Sequence, residues 1–345
     1  MKVCLASTSG GHLAQLEALA PAFVGHDAYL VTVRSAQAAW TFPQFPKFFV
    51  HQILRNPTGF FVNSLQSLTT LLREKPSVVV TTGAGDAFPT AVFAASLGIP
   101  VLFVESMARV TRPSLFGRLV HRFAALTVIQ WPGLADQYQG AVLALPIFRP
   151  KSRVARLRSG ASIVVLTGTH RQGFDRLLQA IDEMLANHEI EASVFAQIGH
   201  ASYIPREYRY LRFLPHRDLI EHIREADLVI THDGAGSIGD ALQLDKPILV
   251  IPRSSSKGEV SYRSKSDLAR ELAKLGWIRL VPDLRSLAVE IRDLKNDQSR
   301  LLPPYAPEVI DIVENFLNSL SEVPTDRIPS SAVHVKTQSQ IGEHD

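Results

Sequence analysis

Two glycine-bearing stretches hold the residue types needed to bind an anion and to move a proton. Gly234-Ala235-Gly236-Ser237 follows the apolar run Asp227-Leu228-Val229-Ile230 and precedes a helical stretch. Glycines let backbone N–H groups approach a phosphate closely, and the helix N-terminus behind them favours its negative charge. No Lys-Ser/Thr pair follows, so this is not a P-loop, and a tight strand-to-helix turn would use the same glycines. Ser9-Gly10-Gly11-His12 ends the first apolar run and offers a second such helix start. His12 would there face a cleft, where an imidazole titrating near neutrality can take a proton from an alcohol. The competing reading is a histidine that only caps or packs against its helix. Asp86 follows Thr82-Gly83-Ala84-Gly85, and Glu105 closes Leu102-Phe103-Val104. Either carboxylate could orient a hydroxyl or serve as base, and either could cap a helix. No two aspartates lie two apart, so the metal-binding Asp-x-Asp pattern does not occur. No metal and no other cofactor is expected, which leaves charge on a departing phosphate to helix N-termini and cationic side chains.

These residues need elements to position them. Strand-like apolar runs alternate with amphipathic stretches, the signature of parallel sheets covered by helices. Strands are expected at residues 3–7, 29–33, 78–80, 101–105 and 127–130, with a helix opened by Gly10-Gly11-His12. Residues 149–160 are basic and polar and read as a boundary. The pattern then restarts with a strand at 162–166, the loop Thr167-Gly168-Thr169-His170 and a helix at 174–185. Strands at 227–230 and 248–251 and a helix at 309–320 complete it. Each half has a glycine loop after a strand, then a helix, then a Pro-led strand, at Gly98-Ile99-Pro100 and at Lys246-Pro247. The expected fold is α/β, with two Rossmann-like parallel-sheet domains facing a ligand cleft at their strand ends. The expected domains are residues 1–150 and 151–320, with a polar, disordered tail at 321–345.

Composition agrees with two globular domains: 345 residues, 46% hydrophobic and 20% charged, suffice for two cores. The 36 Lys plus Arg exceed the 33 Asp plus Glu by only three, too small an excess to call for nucleic acid. A lone cysteine, Cys4, excludes a disulfide framework and a cysteine-based zinc site, and fits a reducing compartment. The most apolar stretch, 87–104, is broken by Pro89, Gly98 and Pro100, so no membrane span is expected. Lys2 leads straight into a strand-like run, so no secretory signal is expected either. Trp40, Phe42, Phe45, Phe48, Phe49, Phe60 and Phe61 lie near Lys47 and Arg55, ahead of a helix carrying Leu65, Leu68, Leu71 and Leu72. Such a segment suits a lipid-headgroup interface or, alternatively, a core with a few exposed rings. The expected location is cytoplasmic, peripheral on the cytoplasmic face of the inner membrane.

The longer motifs carry a resemblance. Ser7-Thr8-Ser9-Gly10-Gly11-His12-Leu13, Val104-Glu105-Ser106-Met107-Ala108-Arg109-Val110-Thr111-Arg112-Pro113-Ser114-Leu115 and Gln130-Trp131 resemble the membrane-recruiting subunit of the eukaryotic N-glycan N-acetylglucosaminyltransferase pair. Gly168-Thr169-His170, Phe174-Asp175-Arg176-Leu177, Gln197-Ile198-Gly199 and His232-Asp233-Gly234-Ala235-Gly236-Ser237 resemble its catalytic subunit. The likeness spans about residues 1–320, as if the two were fused. The wider family, which includes the inverting transferase that makes lipid II, implies a GT-B fold with an N-terminal acceptor domain and a C-terminal domain holding a UDP-sugar. Its bacterial relatives include gellan (sphingan) and rhizobial glucuronosyltransferases, which build exopolysaccharide repeat units on polyprenyl diphosphate.

Position by position, the resemblance implies that Gly234, Gly236 and Ser237 bind the donor diphosphate, with Gly168, Thr169, His170, Gly199 and His232 beside them. Phe213 and Leu214 would lie against the uracil. Asp240 stands where the family places a ribose-binding carboxylate, usually Glu. Ser9, Gly10, Gly11, Gly83, Gly85 and Arg109 would bind the acceptor, and His12 would be the base, with Asp86 or Glu105 orienting the hydroxyl. N-acetylglucosamine-transferring relatives carry Asn-His-Gln before a Leu-Ala-rich helix, where this chain has Arg263-Ser264-Lys265. Two cations there suit a carboxylated sugar, and the loop 253–257 before them is also basic. The resulting expectation is single-displacement transfer of glucuronate from UDP-glucuronate to a polyprenyl-diphosphate-linked sugar, glucose, with a β link. The alternatives are an N-acetylglucosamine transferase on a lipid-linked acceptor, a UDP-sugar epimerase on the same scaffold, and a non-catalytic recruiting scaffold.

Overall fold

The computed structural model describes residues 1–53, 56–150, 160–168, 171–260, 267–294 and 306–321. Arg55, Thr169, His170, Arg263, Lys265 and the tail beyond Ser321 lie outside the described residues.

Strands that read as unbroken apolar runs are buried on both faces, as parallel strands under helices must be. The first sheet contains β1 (Lys2–Ser7), β2 (Asp27–Val33), β3 (Lys47–Val50), β4 (Val78–Gly83), β5 (Val101–Val104), β6 (Leu126–Ile129) and β7 (Val142–Leu143). Its order is β3-β2-β1-β4-β5-β6-β7, and all its pairings are parallel. Its helices are α1 (Gly11–Ala18), α2 (Ala36–Trp40), α3 (Pro57–Glu74), α4 (Phe88–Ser96) and α5 (Leu115–Val120). The second sheet contains β8 (Ala161–Leu166), β9 (Ala192–Gln197), β10 (Arg209–Leu211), β11 (Leu228–His232), β12 (Ile248–Ile251) and β13 (Arg279–Leu280). Its order is β10-β9-β8-β11-β12-β13, again parallel throughout. The remaining helices are α6 (Asp175–Ala186), α7 (His216–Glu225), α8 (Ala235–Gln243), α9 (Asp267–Lys274), α10 (Leu287–Asp293) and α11 (Val309–Ser321).

Successive strand residues point to opposite faces, so each sheet feeds two cores. Val3 and Leu5 pack with Leu13 and Leu16 of α1, whereas Cys4 and Ala6 face Leu71 of α3, Ala91 of α4 and Phe116 of α5. In the second sheet Ile163 and Val165 meet Leu177 and Leu178 of α6, while Val164 and Leu166 meet Ile238 of α8 and Leu268 of α9.

Strand order reverses between β1 and β4, and again between β8 and β11. At such a switch point the flanking loops diverge and open a crevice beyond the strand ends. The four glycine loops singled out in the sequence, after β1, β4, β8 and β11, are the loops at these two points.

One expectation needs correcting. Helix α11 was assigned with residues 151–320, yet Val309, Val313 and Leu317 pack with Val3, Leu5 and Leu19 of the first half. The chain therefore returns to its starting domain, held there also by Leu145 N–H donating to the Pro307 carbonyl at 2.9 Å. The aromatic segment divides, with four of its seven rings buried or half-buried. Phe42 is 2% exposed and stacks on Phe45 at 5.6 Å, Phe48 meets Tyr29 edge-on at 5.3 Å, and Phe49 lies under the Arg34 guanidinium. Residues 47–50 are an edge strand in which Val50 is buried and the rest half-buried; Trp40, Phe60 and Phe61 are the exposed ones of the seven rings.

Candidate active site

His12 sits in the first turn of α1, directly after the β1 loop. Its Nδ1 lies 2.7 Å from the Thr82 carbonyl oxygen, and the Thr82 hydroxyl donates back to the His12 carbonyl at 2.8 Å. A carbonyl can only accept, so Nδ1 carries the proton and Nε2 presents a lone pair. Burial lowers the His12 pKa, opposed by the Thr82 hydrogen bond and the Glu105 charge and assisted by the Arg109 guanidinium. The ring is thus held neutral, in the tautomer that a general base needs.

The loops around it have set conformations. Gly10 adopts φ +91°, where only glycine is unstrained, and Gln37 clasps it from both sides, accepting from its N–H at 2.6 Å and donating to its carbonyl at 3.2 Å. Gly83 also has positive φ, and a Cβ there would press on the Phe116 and Phe103 rings at 3.3–3.4 Å. Gly11 and Gly85 are exposed, with nothing within 4 Å of an added Cβ. Ser9 is half-buried and Arg109 is exposed, its charge within reach of His12.

Both carboxylates accept hydrogen bonds from neighbouring loops, Glu105 at Ser114, the residue that caps α5. Glu105 is 1% exposed. Its Oε1 accepts from Ser106 N–H at 2.8 Å, and its Oε2 accepts from the Ser114 N–H and hydroxyl at 2.9 Å each and from the Tyr138 hydroxyl. Gly117 makes room for this cluster, since a Cβ there would meet the Tyr138 oxygen and Glu105 Oε2. Glu105 closes residues 105–114 into a ring and acts on His12 through its charge alone. Asp86, 8% exposed, accepts from the Thr8 hydroxyl at 2.5 Å and from Ile53 N–H at 2.8 Å, so it ties the β1 and β3 loops together.

In the second half the glycines pack around one ring. A Cβ on Gly168 would lie 2.6 Å from His232 Cε1, one on Gly234 2.2 Å from His232 Nε2, and one on Gly199 2.5 Å from the Gly168 carbonyl. Gly168 and Gly199 also have positive φ, at +74° and +56°. These three glycines are required by the protein itself. Gly236 differs: it is exposed in the first turn of α8, with nothing within 4 Å of an added Cβ. Glycine costs about 1 kcal/mol against alanine within a helix, so its use there fits a ligand that must come close to the backbone. Ser237 is half-buried beside it. Phe213 is exposed with its ring 5.0 Å from that of His200, and Leu214 N–H donates to Gln197 at 3.1 Å.

Three features were missed in the sequence. Arg253, read as part of a basic loop, is buried and donates to the carbonyls of Thr167, Gln172 and Glu259. Arg176 pairs with the buried Glu259 at 2.5 Å, holding the same loop. His216, at the start of α7, lies 3.2 Å from both carboxylate oxygens of Asp240. All three join residues far apart in the chain, and no local spacing announces such pairs.

The two halves touch through residues 107–111 and 148. Met107, Val110, Trp131 and Phe148 join the core beside β11 and α8, and the Thr111 hydroxyl donates to Asp267 at 3.2 Å.

Residues 162–307 match the glycosyltransferase family 28 C-terminal domain, and residues 49–144 match the oligosaccharide biosynthesis protein Alg14 like family. The UDP-N-acetylglucosamine–N-acetylmuramyl-(pentapeptide) pyrophosphoryl-undecaprenol N-acetylglucosamine transferase of Shouchella clausii is 28% identical over 271 residues, 72% of each chain. The UDP-N-acetylglucosamine transferase subunit ALG13 of Debaryomyces hansenii is 32% identical over 117 residues, covering 34% of this chain and about half (48%) of its own. Among solved structures, MurG of Acinetobacter baumannii superposes with a TM-score of 0.65 at 16% identity, over 92% of this chain and 100% of its own. UDP-GlcNAc 2-epimerase of Methanocaldococcus jannaschii gives 0.63 at 14%, over 93% and 99%, so the fold by itself does not separate transferase from epimerase. The chain has a GT-B fold, with a segment similar to the Alg14 like family followed by one similar to the glycosyltransferase family 28 C-terminal domain.

Proposed function

We propose that the protein is a UDP-sugar-dependent, inverting glycosyltransferase that extends a polyprenyl-diphosphate-linked sugar at a membrane surface. The observation that supports this reading is the neutral His12, its tautomer fixed by Thr82, in α1, whose Ala14 and Ala18 pack on the same core as Ala235 of α8, the helix that offers the open backbone of Gly236 in its first turn. In the proposed reaction the acceptor hydroxyl gives its proton to His12 Nε2 and its oxygen attacks C1 of the donor sugar. The C1–O bond to UDP breaks, and UDP leaves with the electron pair toward the N–H groups opening α8, where the growing charge is received. Attack opposite the leaving group turns an α-linked donor into a β product. Arg109, exposed beside His12, suits the acceptor diphosphate.

A membrane-facing role is supported by one surface. Helices α3, α4 and α5 lie side by side over the same sheet face. They and the turn after α5 expose Phe60, Phe61, Leu65, Leu115, Leu119 and Phe123, flanked by the exposed Arg118 and Arg122. Apolar side chains rimmed by cations suit an anionic bilayer surface. No helix among the described residues is long and apolar enough to cross a membrane.

The relatives' names favour an N-acetylglucosamine-type donor, and this is the first reading. UDP-glucuronate, and with it a role in exopolysaccharide assembly, is the second; it rests on Arg263 and Lys265 in the sequence, where N-acetylglucosamine-transferring relatives carry Asn-His-Gln. The epimerase and scaffold alternatives leave the acceptor-side residues without a task. The test is a donor screen with polyprenyl diphosphate-glucose, comparing UDP-N-acetylglucosamine, UDP-glucuronate and UDP-glucose. Product from UDP-N-acetylglucosamine supports the first reading and product from UDP-glucuronate alone the second. UDP-sugar epimerisation without transfer would overturn both.

A further inference from the structure

The contact between His216 and Asp240 has no part in the reaction as derived so far. His216 Nε2 is 3.2 Å from Oδ1 and from Oδ2 of Asp240, whose side chain is 12% exposed, whereas that of His216 is 47% exposed. Asp240 follows Gly236 by four residues on α8, so the two share a helix face one turn apart, about 5 Å. A nucleoside diphosphate with its phosphates at Gly236 would bring its sugar ring along this face toward Asp240. A carboxylate offers about four lone-pair sites, enough to accept one imidazole N–H and two hydroxyls together. Asp is one methylene shorter than Glu, so its reach is more limited and its orientation matters more.

We propose that His216 is a specificity-determining residue of the nucleotide site, positioning Asp240 to accept hydrogen bonds from the two hydroxyls of a ribose and so favouring ribo- over 2′-deoxyribonucleotides. The inference rests on the donor-site reading of Gly236 and Asp240. The groups whose charge reaches His216 are Asp240 from α8 and Glu17 from α1 of the facing domain. The Asp240 hydrogen bond, with the charges of Asp240 and Glu17, raises the histidine's pKa against the effect of burial. The protonated ring is the stronger partner, so the grip on ribose weakens as pH rises through that raised value.

The test is calorimetric titration of the full chain with UDP and with 2′-deoxy-UDP. The ratio of the two affinities cancels the titration of the phosphates themselves. Wild type should prefer UDP by about tenfold, the worth of one hydrogen bond to a charged group, and the preference should shrink between pH 6 and 8.5. His216→Ala should lose most of the preference, weakening UDP more than 2′-deoxy-UDP, because UDP loses two positioned hydroxyl contacts and 2′-deoxy-UDP only that of its 3′ hydroxyl. His216→Gln, which keeps a donor but cannot ionise, should retain a preference that no longer varies with pH. Equal weakening of both nucleotides in His216→Ala, or an unchanged preference, overturns the inference and leaves the donor site standing. An unchanged preference in Asp240→Asn overturns the ribose role of Asp240. Failure of wild type to bind either nucleotide overturns the donor site, and the inference with it.

Discussion

Replacing Gly236 by alanine should push stability and ligand binding in opposite directions. The residue lies in the first turn of α8 with a backbone φ that alanine accepts, and no heavy atom lies within 4 Å of the added Cβ. Nothing in the protein resists the methyl group. Helix propensity favours alanine by up to about 1 kcal/mol, so the melting temperature should rise by roughly 1–4 °C. The same open space is what a diphosphate would occupy. A methyl group there forces out at least one N–H to phosphate hydrogen bond, worth about 1.5–3 kcal/mol because the acceptor is charged. That corresponds to roughly a 10- to 100-fold weaker UDP affinity. Scanning calorimetry and isothermal titration on one preparation read both numbers. Gly234→Ala is the contrasting control, because its Cβ would fall 2.2 Å from His232 and must destabilise the fold. A stable Gly236→Ala protein with wild-type UDP affinity would reduce the loop to a strand-to-helix turn and refute the anion-site reasoning.

Removing the proposed base by His12→Ala should cut kcat by about 10²–10⁴-fold with UDP affinity unchanged, and full activity in that variant would remove His12 from the mechanism. Because the His12 pKa is lowered and the neutral ring is the active form, the acid limb of kcat/KM should fall below pH 6.5, and a limb above pH 7 that vanishes in His12→Gln would contradict this. Glu105→Ala strips the Ser106 and Ser114 N–H groups and the Tyr138 hydroxyl of their acceptor, so urea unfolding should show a loss of about 2–4 kcal/mol. A fully stable but inactive Glu105→Ala would restore it as a direct participant. Phe61→Asp with Leu65→Asp should reduce sedimentation with anionic vesicles several-fold at unchanged UDP affinity; equal vesicle binding would move the membrane contact elsewhere.

Much of the fold was legible because parallel strands buried on both faces leave unbroken apolar runs. Val78-Val79-Val80 and Ile248-Leu249-Val250-Ile251 announce themselves, and the glycines after them mark the strand ends where a switch point opens. Edge strands were harder. Phe48 and Phe49 of β3 look the same in sequence whether they face lipid or Tyr29 and Arg34. The return of α11 to the first domain was hidden, because amphipathic periodicity tells that a helix has an apolar face and not which sheet it covers. The two roles left open for the carboxylates could not be separated for a related reason: a residue after a strand is placed near the strand ends, but only its partners decide how its oxygens are used. Glu105 accepts four hydrogen bonds, whereas Asp86 accepts two.

The motifs that carry the family likeness do two different physical jobs. The glycine loops bring backbone to the strand ends, and two of the second-half glycines, Gly168 and Gly234, are required by the His232 ring. The long motif from Val104 to Leu115, with Gln130-Trp131, builds a support. Gln15, three residues after His12, accepts from Met107 N–H at 2.8 Å and from the Gln130 amide at 3.2 Å. Gln130 in turn donates to the Glu105 carbonyl at 2.7 Å and accepts from Ile147 N–H at 2.7 Å, and the Trp131 indole donates to the Met107 carbonyl at 2.7 Å. A buried polar network of this kind is stable only when every member is satisfied, so each residue in it constrains the others. It fixes the helix that bears the base to the loop that bears Arg109, and that loop to the residues that meet the second domain. A base must lie within a few tenths of an ångström of its productive position, and the rigidity comes from these groups and not from any residue that touches substrate. Gln15→Leu, far from the reacting atoms, should therefore lower kcat while leaving UDP binding intact, and a Gln15→Leu enzyme with wild-type kcat would show that the support is dispensable.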